Sequence, residues 1–314
     1  MSLQEQLGPT VAFVFPGQGS QFAGMGRELY ERSPAARATI DEADQVLGTS
    51  LSTLAFEGPV EALNDTFNAQ PAILTVSVAA LRAFNERAEA DGGPVTPIVV
   101  AGHSLGQFTA LVAAGSLGFA ETLTLVRERG RLMAEAGTAR PGGMAAVLGL
   151  DEVDLVEVCA QASSEGIINV ANANCPGQIV ISGEVGALER AMELAKSAGA
   201  KRVARLPVSI ASHSPLMEDV SRQLKALTDA LPFKDSAFPI VGNVSGKPII
   251  SVAEIRTELE HHVERPVNWT GSVQEMVALG ADTFVELGPG TVLAGLIKRI
   301  DRGVKTASLA DLGL

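Results

Sequence analysis

Ser104 lies in Gly-His-Ser-Leu-Gly, residues 102–106, between the apolar run IVVAG (98–102) and the helical pattern LGQFTALVAAG. A serine in G-x-S-x-G between a strand and a helix is the setting of a nucleophile elbow, a turn that lifts Oγ above the carboxyl edge of a sheet. The glycines let strand and helix pass closely. The Leu105 N–H, at the start of the helix, can then face an oxyanion. The competing reading makes Ser104 only the N-cap of that helix. A nucleophile needs a base, and the chain has four histidines. His103 adjoins Ser104 and points away from it on an elbow. That leaves His213, in SIASHSPLM, and the pair His261-His262. His213 follows the last strand of the central segment, at a junction of two units where clefts form. Alternatively it is a surface-loop histidine capping the next helix. No spacing of histidines and carboxylates suggests a metal site, and no metal or other cofactor is expected.

Arg129 is the second chemical feature. In the helical stretch Glu121 to Ala136, Thr122, Leu125, Val126, Leu132, Met133 and Ala136 share one face, with Arg129 at its centre. Arg127 and Arg131 fall on the opposite side. A cation inside an apolar stripe is costly unless paired, and no acid shares the stripe. It either bonds carbonyls and snorkels or waits for a substrate carboxylate, which a guanidinium grips with two parallel hydrogen bonds.

Lesser features carry less. The PGQGS loop at 16–20 lacks the lysine of a P-loop and the full G-x-G-x-x-G. Asn172 and Asn174 either line a cleft or close a hairpin. Lys196, Lys201, Arg202 and Arg205 form a basic cluster that either docks an anionic arm or an acidic carrier protein, or is a solvated face.

The elements that must position these residues alternate. Strand-like VAFVF (11–15), IVVAG, FPIVGNVSG and DTFVELGPG are each followed by turns or helices, and a helix is expected after Gln70-Pro71. That alternation predicts an α/β fold with a mostly parallel sheet. Residues 142–208 instead read strand, helix, strand, strand, helix, strand, the order of a ferredoxin-like β-α-β-β-α-β unit. The expected division is a discontinuous catalytic domain, 1–138 and 211–314, with a small domain, 139–210, inserted. The chain has 314 residues, 46% of them hydrophobic and only 4% aromatic, so small aliphatic side chains fill the core. A net charge of −12 argues against nucleic acid and anionic membrane surfaces. Two cysteines without a CxxC pair, and no targeting or spanning segment, suggest a reduced, cytoplasmic setting.

The sequence resembles the malonyl-CoA:acyl carrier protein transacylase family, with its polyketide-synthase relatives. The matching segments are FPGQGSQ (15–21), GHSLGQFTALVAAG (102–115), LVRERGRLM (125–133), NANCPGQIVISG (172–183), SHSPLM (212–217) and ERPVNWTGSV…ELGPG (264–290). They run through nearly the whole chain in family order. Gln107-Phe108 departs from a common Glu-Tyr, and His262 from a usual glutamine. The resemblance implies an α/β-hydrolase-like large domain with a ferredoxin-like insert. It implies Ser104 as the acyl-accepting nucleophile, His213 as its base, and Gln18 as an oxyanion donor through its N–H beside that of Leu105. Arg129 becomes the malonyl-binding arginine; Asn172, Asn174 and His262 are further candidate substrate contacts. The backbone carbonyl of His262 is expected to accept the second imidazole proton of His213. Implied partners are malonyl-CoA and acyl carrier protein, for a monomer in fatty-acid synthesis. A plain serine esterase or thioesterase, a stand-alone polyketide-synthase acyltransferase and a non-catalytic acyl-binding subunit are the rival readings.

Overall fold

The computed structural model describes residues 2–314. Ten strands form two sheets. They are β1 (Val11–Phe15), β2 (Val99–Gly102), β3 (Gly142–Leu148), β4 (Ile168–Cys175), β5 (Gln178–Glu184), β6 (Arg202–Arg205), β7 (Ile240–Val241), β8 (Pro248–Ile249), β9 (Thr283–Glu286) and β10 (Lys305–Ser308). The larger sheet runs β10-β9-β1-β2-β7-β8. Every pairing in it is parallel except β7 with β8.

Alternate residues of β1 enter different cores. Val11, Phe13 and Phe15 pack on one side with helical residues such as Leu74, Phe84 and Leu111. Ala12 and Val14 pack on the other with Trp269, Met276 and Ile297. A strand apolar at every position is therefore required here, because helices cover both faces of the sheet.

The smaller sheet is antiparallel, in the order β4-β5-β3-β6. Helices Glu152–Ala162 and Val185–Ser197 cover one face through Leu155, Val158, Leu188 and Ala191. Edge strand β4 is stitched to the rest of the molecule by a parallel bridge. Ala173 N–H donates to the Val267 carbonyl at 3.0 Å, and Val267 N–H donates to Ala171 at 2.8 Å.

Two local expectations change. The helix expected after Pro71 begins earlier and runs Thr66–Ala90 straight through the proline. Pro71 has no N–H to give the Phe67 carbonyl one turn back. Arg127 supplies the missing donor, its Nη1 lying 3.0 Å from that oxygen. Strands β8 and β10 were not expected; both are short and lack an apolar alternation that could reveal them. Among the described residues, no helix is long and apolar enough to cross a membrane.

Candidate active site

Ser104 sits between β2 and the Gly106–Ala113 helix with φ of 48°, in the left-handed region that a side chain rarely occupies. The flanking glycines make this turn possible. A Cβ on Gly102 would overlap the Gly106 backbone, and one on Gly106 would overlap the Phe15 carbonyl at the end of β1. Asn243, just after β7, clamps the same turn. Its Oδ1 accepts from the Ser104 N–H at 2.6 Å and its Nδ2 donates to the Gly102 carbonyl at 2.7 Å. With the Ser104 N–H so occupied, Leu105 and, in the loop after β1, Gln18 are nearby backbone donors without a partner among the described residues.

His213 brings Nε2 to 2.8 Å from Ser104 Oγ. It too has a positive φ, 58°. Two segments hold it: its N–H donates to the carbonyl of Val263, in the turn after the Val252–Glu260 helix, while Asn169 Nδ2 in β4 donates to the His213 carbonyl, each at 2.8 Å. The opposite ring nitrogen, Nδ1, lies 3.0 Å from the Arg265 carbonyl. This corrects the expectation for His262, whose carbonyl faces the imidazole but is the weaker of the two influences. The chain turns about Val263, so the carbonyl three residues after His262, that of Arg265, makes the hydrogen bond. An acceptor at Nδ1 leaves Nε2 as the lone-pair nitrogen facing Ser104. Burial, followed by the positive charge of Arg129, pushes His213 down to about 3, so the ring is neutral at physiological pH.

Arg129 is 2% exposed and has no carboxylate partner among the described residues. Its Nη1 donates to Gln70 Oε1 at 2.5 Å and its Nη2 to Ser104 Oγ at 3.3 Å. Nε has no partner among the described residues, and the guanidinium lies over the Phe108 ring. Burial pushes Arg129 down to about 9, which still leaves it charged at neutral pH. Arg127 and Arg131 bond elsewhere, as their positions on the helix require.

His262 is 1% exposed, its ring edge-on to Phe108 and 6.2 Å from the His213 ring centroid. Among the described residues, neither of its ring nitrogens has a hydrogen-bond partner of normal geometry, although the ring faces the Ser104 carbonyl. His261, by contrast, turns outward to Glu264. Asn174 reaches across from β4 to His103, with Oδ1 2.8 Å from Nε2. The His103 ring packs against Trp269 at 5.6 Å and points away from the serine–histidine pair. Asn172 is buried in β4 beside the Val267 bridge, its Oδ1 unpaired among the described residues.

Residues 12–312 match the acyl transferase domain family. The malonyl CoA-acyl carrier protein transacylase of Bacillus subtilis is 48% identical over 302 residues, 96% of this chain and 93% of that protein. The chain belongs to the malonyl CoA-acyl carrier protein transacylase family. Its fold agrees with that of family members: the Xanthomonas oryzae malonyl-CoA:acyl carrier protein transacylase superposes with a TM-score of 0.92 at 42% identity, covering 98% of this chain and 97% of that one. A malonyl-transacylase solved in complex with its type II polyketide-synthase acyl-carrier protein gives 0.90 at 40% identity, with 95% of each chain covered. Within this transacylase site, Asn243, Gln70 and the Arg265 carbonyl escape a reading of the sequence. Asn243 is a single polar residue after a two-residue strand, and Gln70 precedes a proline that reads as a helix boundary.

Proposed function

We propose that this acyltransferase carries malonyl groups from malonyl-CoA to the phosphopantetheine thiol of acyl carrier protein, through a malonyl ester on Ser104. The observation that carries this reading is Arg129: a buried cation without an acid, 3.3 Å from the nucleophile. An esterase for neutral acyl groups has no use for it. The substrate carboxylate takes the guanidinium. Ser104 Oγ attacks the thioester carbonyl carbon while His213 Nε2 removes its proton. The N–H groups of Leu105 and Gln18 hold the tetrahedral oxyanion. Coenzyme A leaves as its sulfur takes the proton back from His213. The carrier thiol then attacks the ester, again giving its proton to His213, and Ser104 recovers that proton as it leaves.

Substrate charge matters twice in this scheme. A carboxylate on Arg129 offsets the positive charge that helps hold His213 down, so the base strengthens when the correct acyl group is bound. Asn172, Asn174 and His262 are assigned to the substrate channel, His262 as a neutral donor or acceptor. Asn174 also braces His103.

The order β3-helix-β4-β5-helix-β6 and the antiparallel order of the small sheet support a ferredoxin-like small domain, 139–210. It is inserted in an α/β-hydrolase-like catalytic domain, 1–138 and 211–314. The assigned setting is cytoplasmic fatty-acid synthesis by a monomer. Incubation with radiolabelled malonyl-CoA, followed by carrier protein or water, tests the whole reading. A labelled enzyme that discharges to carrier and not to water supports it; rapid discharge to water makes the protein a hydrolase.

A further inference from the structure

Three hydrogen bonds connect the buried arginine to the loop after β1. Arg129 Nη1 donates to Gln70 Oε1 at 2.5 Å, Gln70 Nε2 to Thr66 Oγ1 at 2.7 Å, and Thr66 Oγ1 to Gln18 Oε1 at 2.9 Å. The direction is forced. A guanidinium only donates, so the Gln70 oxygen must face it and the amide nitrogen must face Thr66. The single hydroxyl proton of Thr66 is then free to go to Gln18. Thr66 and Gln70 lie one turn apart at the start of the Thr66–Ala90 helix, on one face. Arg129 reaches them because its neighbour is Gly130: a Cβ there would lie 2.8 Å from the Thr66 carbonyl and 3.0 Å from the Phe67 Cα. Thr66 and Gln70 are buried, which shields the two inner bonds from water, while Gln18 at the end of the chain is exposed.

We propose that Thr66 and Gln70 are positioning residues that couple the carboxylate-holding arginine to the oxyanion-holding loop. Such a chain polarises along its length. It anchors the Gln18 side chain in a loop whose other ties, Ser20 Oγ to the Gly17 carbonyl and the Gly19 N–H to Gln21 Oε1, do not reach Arg129. Gln18 thereby keeps its N–H in place when Arg129 is engaged. The inference rests on the roles given above to Arg129 and Gln18.

Thr66→Val keeps the volume and removes the link. Single-turnover malonylation of Ser104 by malonyl-CoA should slow about tenfold with KM little changed, since the lost bond acts on the transition state. Thr66→Ser should restore most of the rate. In an Arg129→Ala background, where the chain has lost its anchor, Thr66→Val should slow the reaction less than twofold. Equal losses in both backgrounds, or no loss at all, would overturn the coupling. A fall in Tm without a change in rate per folded molecule would do the same. Mass spectrometry of the wild-type adduct keeps the two levels apart. Absence of malonyl on Ser104 defeats the proposed function, whereas an adduct with additive variants defeats only the coupling.

Discussion

Arg129 Nη2 donates to Ser104 Oγ at 3.3 Å, so the cation proposed for the substrate carboxylate touches the nucleophile itself. Arg129→Ala should therefore separate two substrates. Malonyl transfer should lose about 2–5 kcal/mol of transition-state stabilisation, the usual penalty for truncating one partner of a desolvated charge pair. Acetyl transfer should hold, because it has no carboxylate to lose and His213 is relieved of a nearby positive charge. Comparison of kcat/KM for malonyl-CoA and acetyl-CoA checks this; equal losses would make Arg129 structural.

Ser104→Ala should abolish loading while Tm stays within a few degrees, since one hydroxyl leaves a half-buried turn. Mass spectrometry after exposure to malonyl-CoA should place the adduct on Ser104. Neither cysteine competes: both are buried, and burial pushes the Cys159 thiol up to about 12. An adduct on Cys159 or Cys175 would reject the mechanism.

The pH profile should be flat where a histidine base usually shows itself. A base works above its own pKa, and His213 lies at about 3, so kcat/KM should show no acid limb near 6.5. On the alkaline side, malonyl loading should fall as Arg129, at about 9, gives up its charge. Stability follows the same shift. Between about 3 and 6.5 the unfolded chain binds a proton at this residue that the folded chain refuses. Acidification through that window therefore favours unfolding. Thermal melts from pH 7 to 4 measure it, and His213→Gln should soften the decline.

Asn243→Ala strands two buried backbone groups, the Ser104 N–H and the Gly102 carbonyl. About 1–3 kcal/mol is expected for each, with a fall in kcat as the elbow relaxes. Denaturant melts and single-turnover rates should move together. An unchanged kcat would mean that the strand and helix glycines alone hold the turn.

His262→Gln should keep most activity and His213→Ala should lose nearly all. Arg265→Ala should be close to neutral, because the group in use is the Arg265 carbonyl, which any residue supplies. A large kcat loss in Arg265→Ala would show that its side chain takes part.

How far the sequence discloses this molecule follows from which interactions are local. The β1, β2 and β9 runs, the elbow between Gly102 and Gly106, and Arg129 on an apolar helix face all rest on periodicity within a few residues. Elimination among four histidines leaves His213 and the pair His261-His262, and the resemblance of SHSPLM to the family singles out His213. What escapes detection depends on distance along the chain. Asn243 meets Ser104 from 139 positions away, and Arg127 rescues a helix across Pro71 from 60 positions away. The choice between the His262 and Arg265 carbonyls turns on the path of one short loop, which no spacing rule encodes.

Trp269 is the only tryptophan in the chain and is wholly buried, its ring against His103, the residue that precedes Ser104. All indole emission from this protein therefore originates beside the elbow. A chain otherwise poor in aromatic groups thus carries its own optical reporter. Acylation and discharge can be followed in a stopped-flow fluorimeter on unlabelled protein, with Trp269→Phe as the silent control.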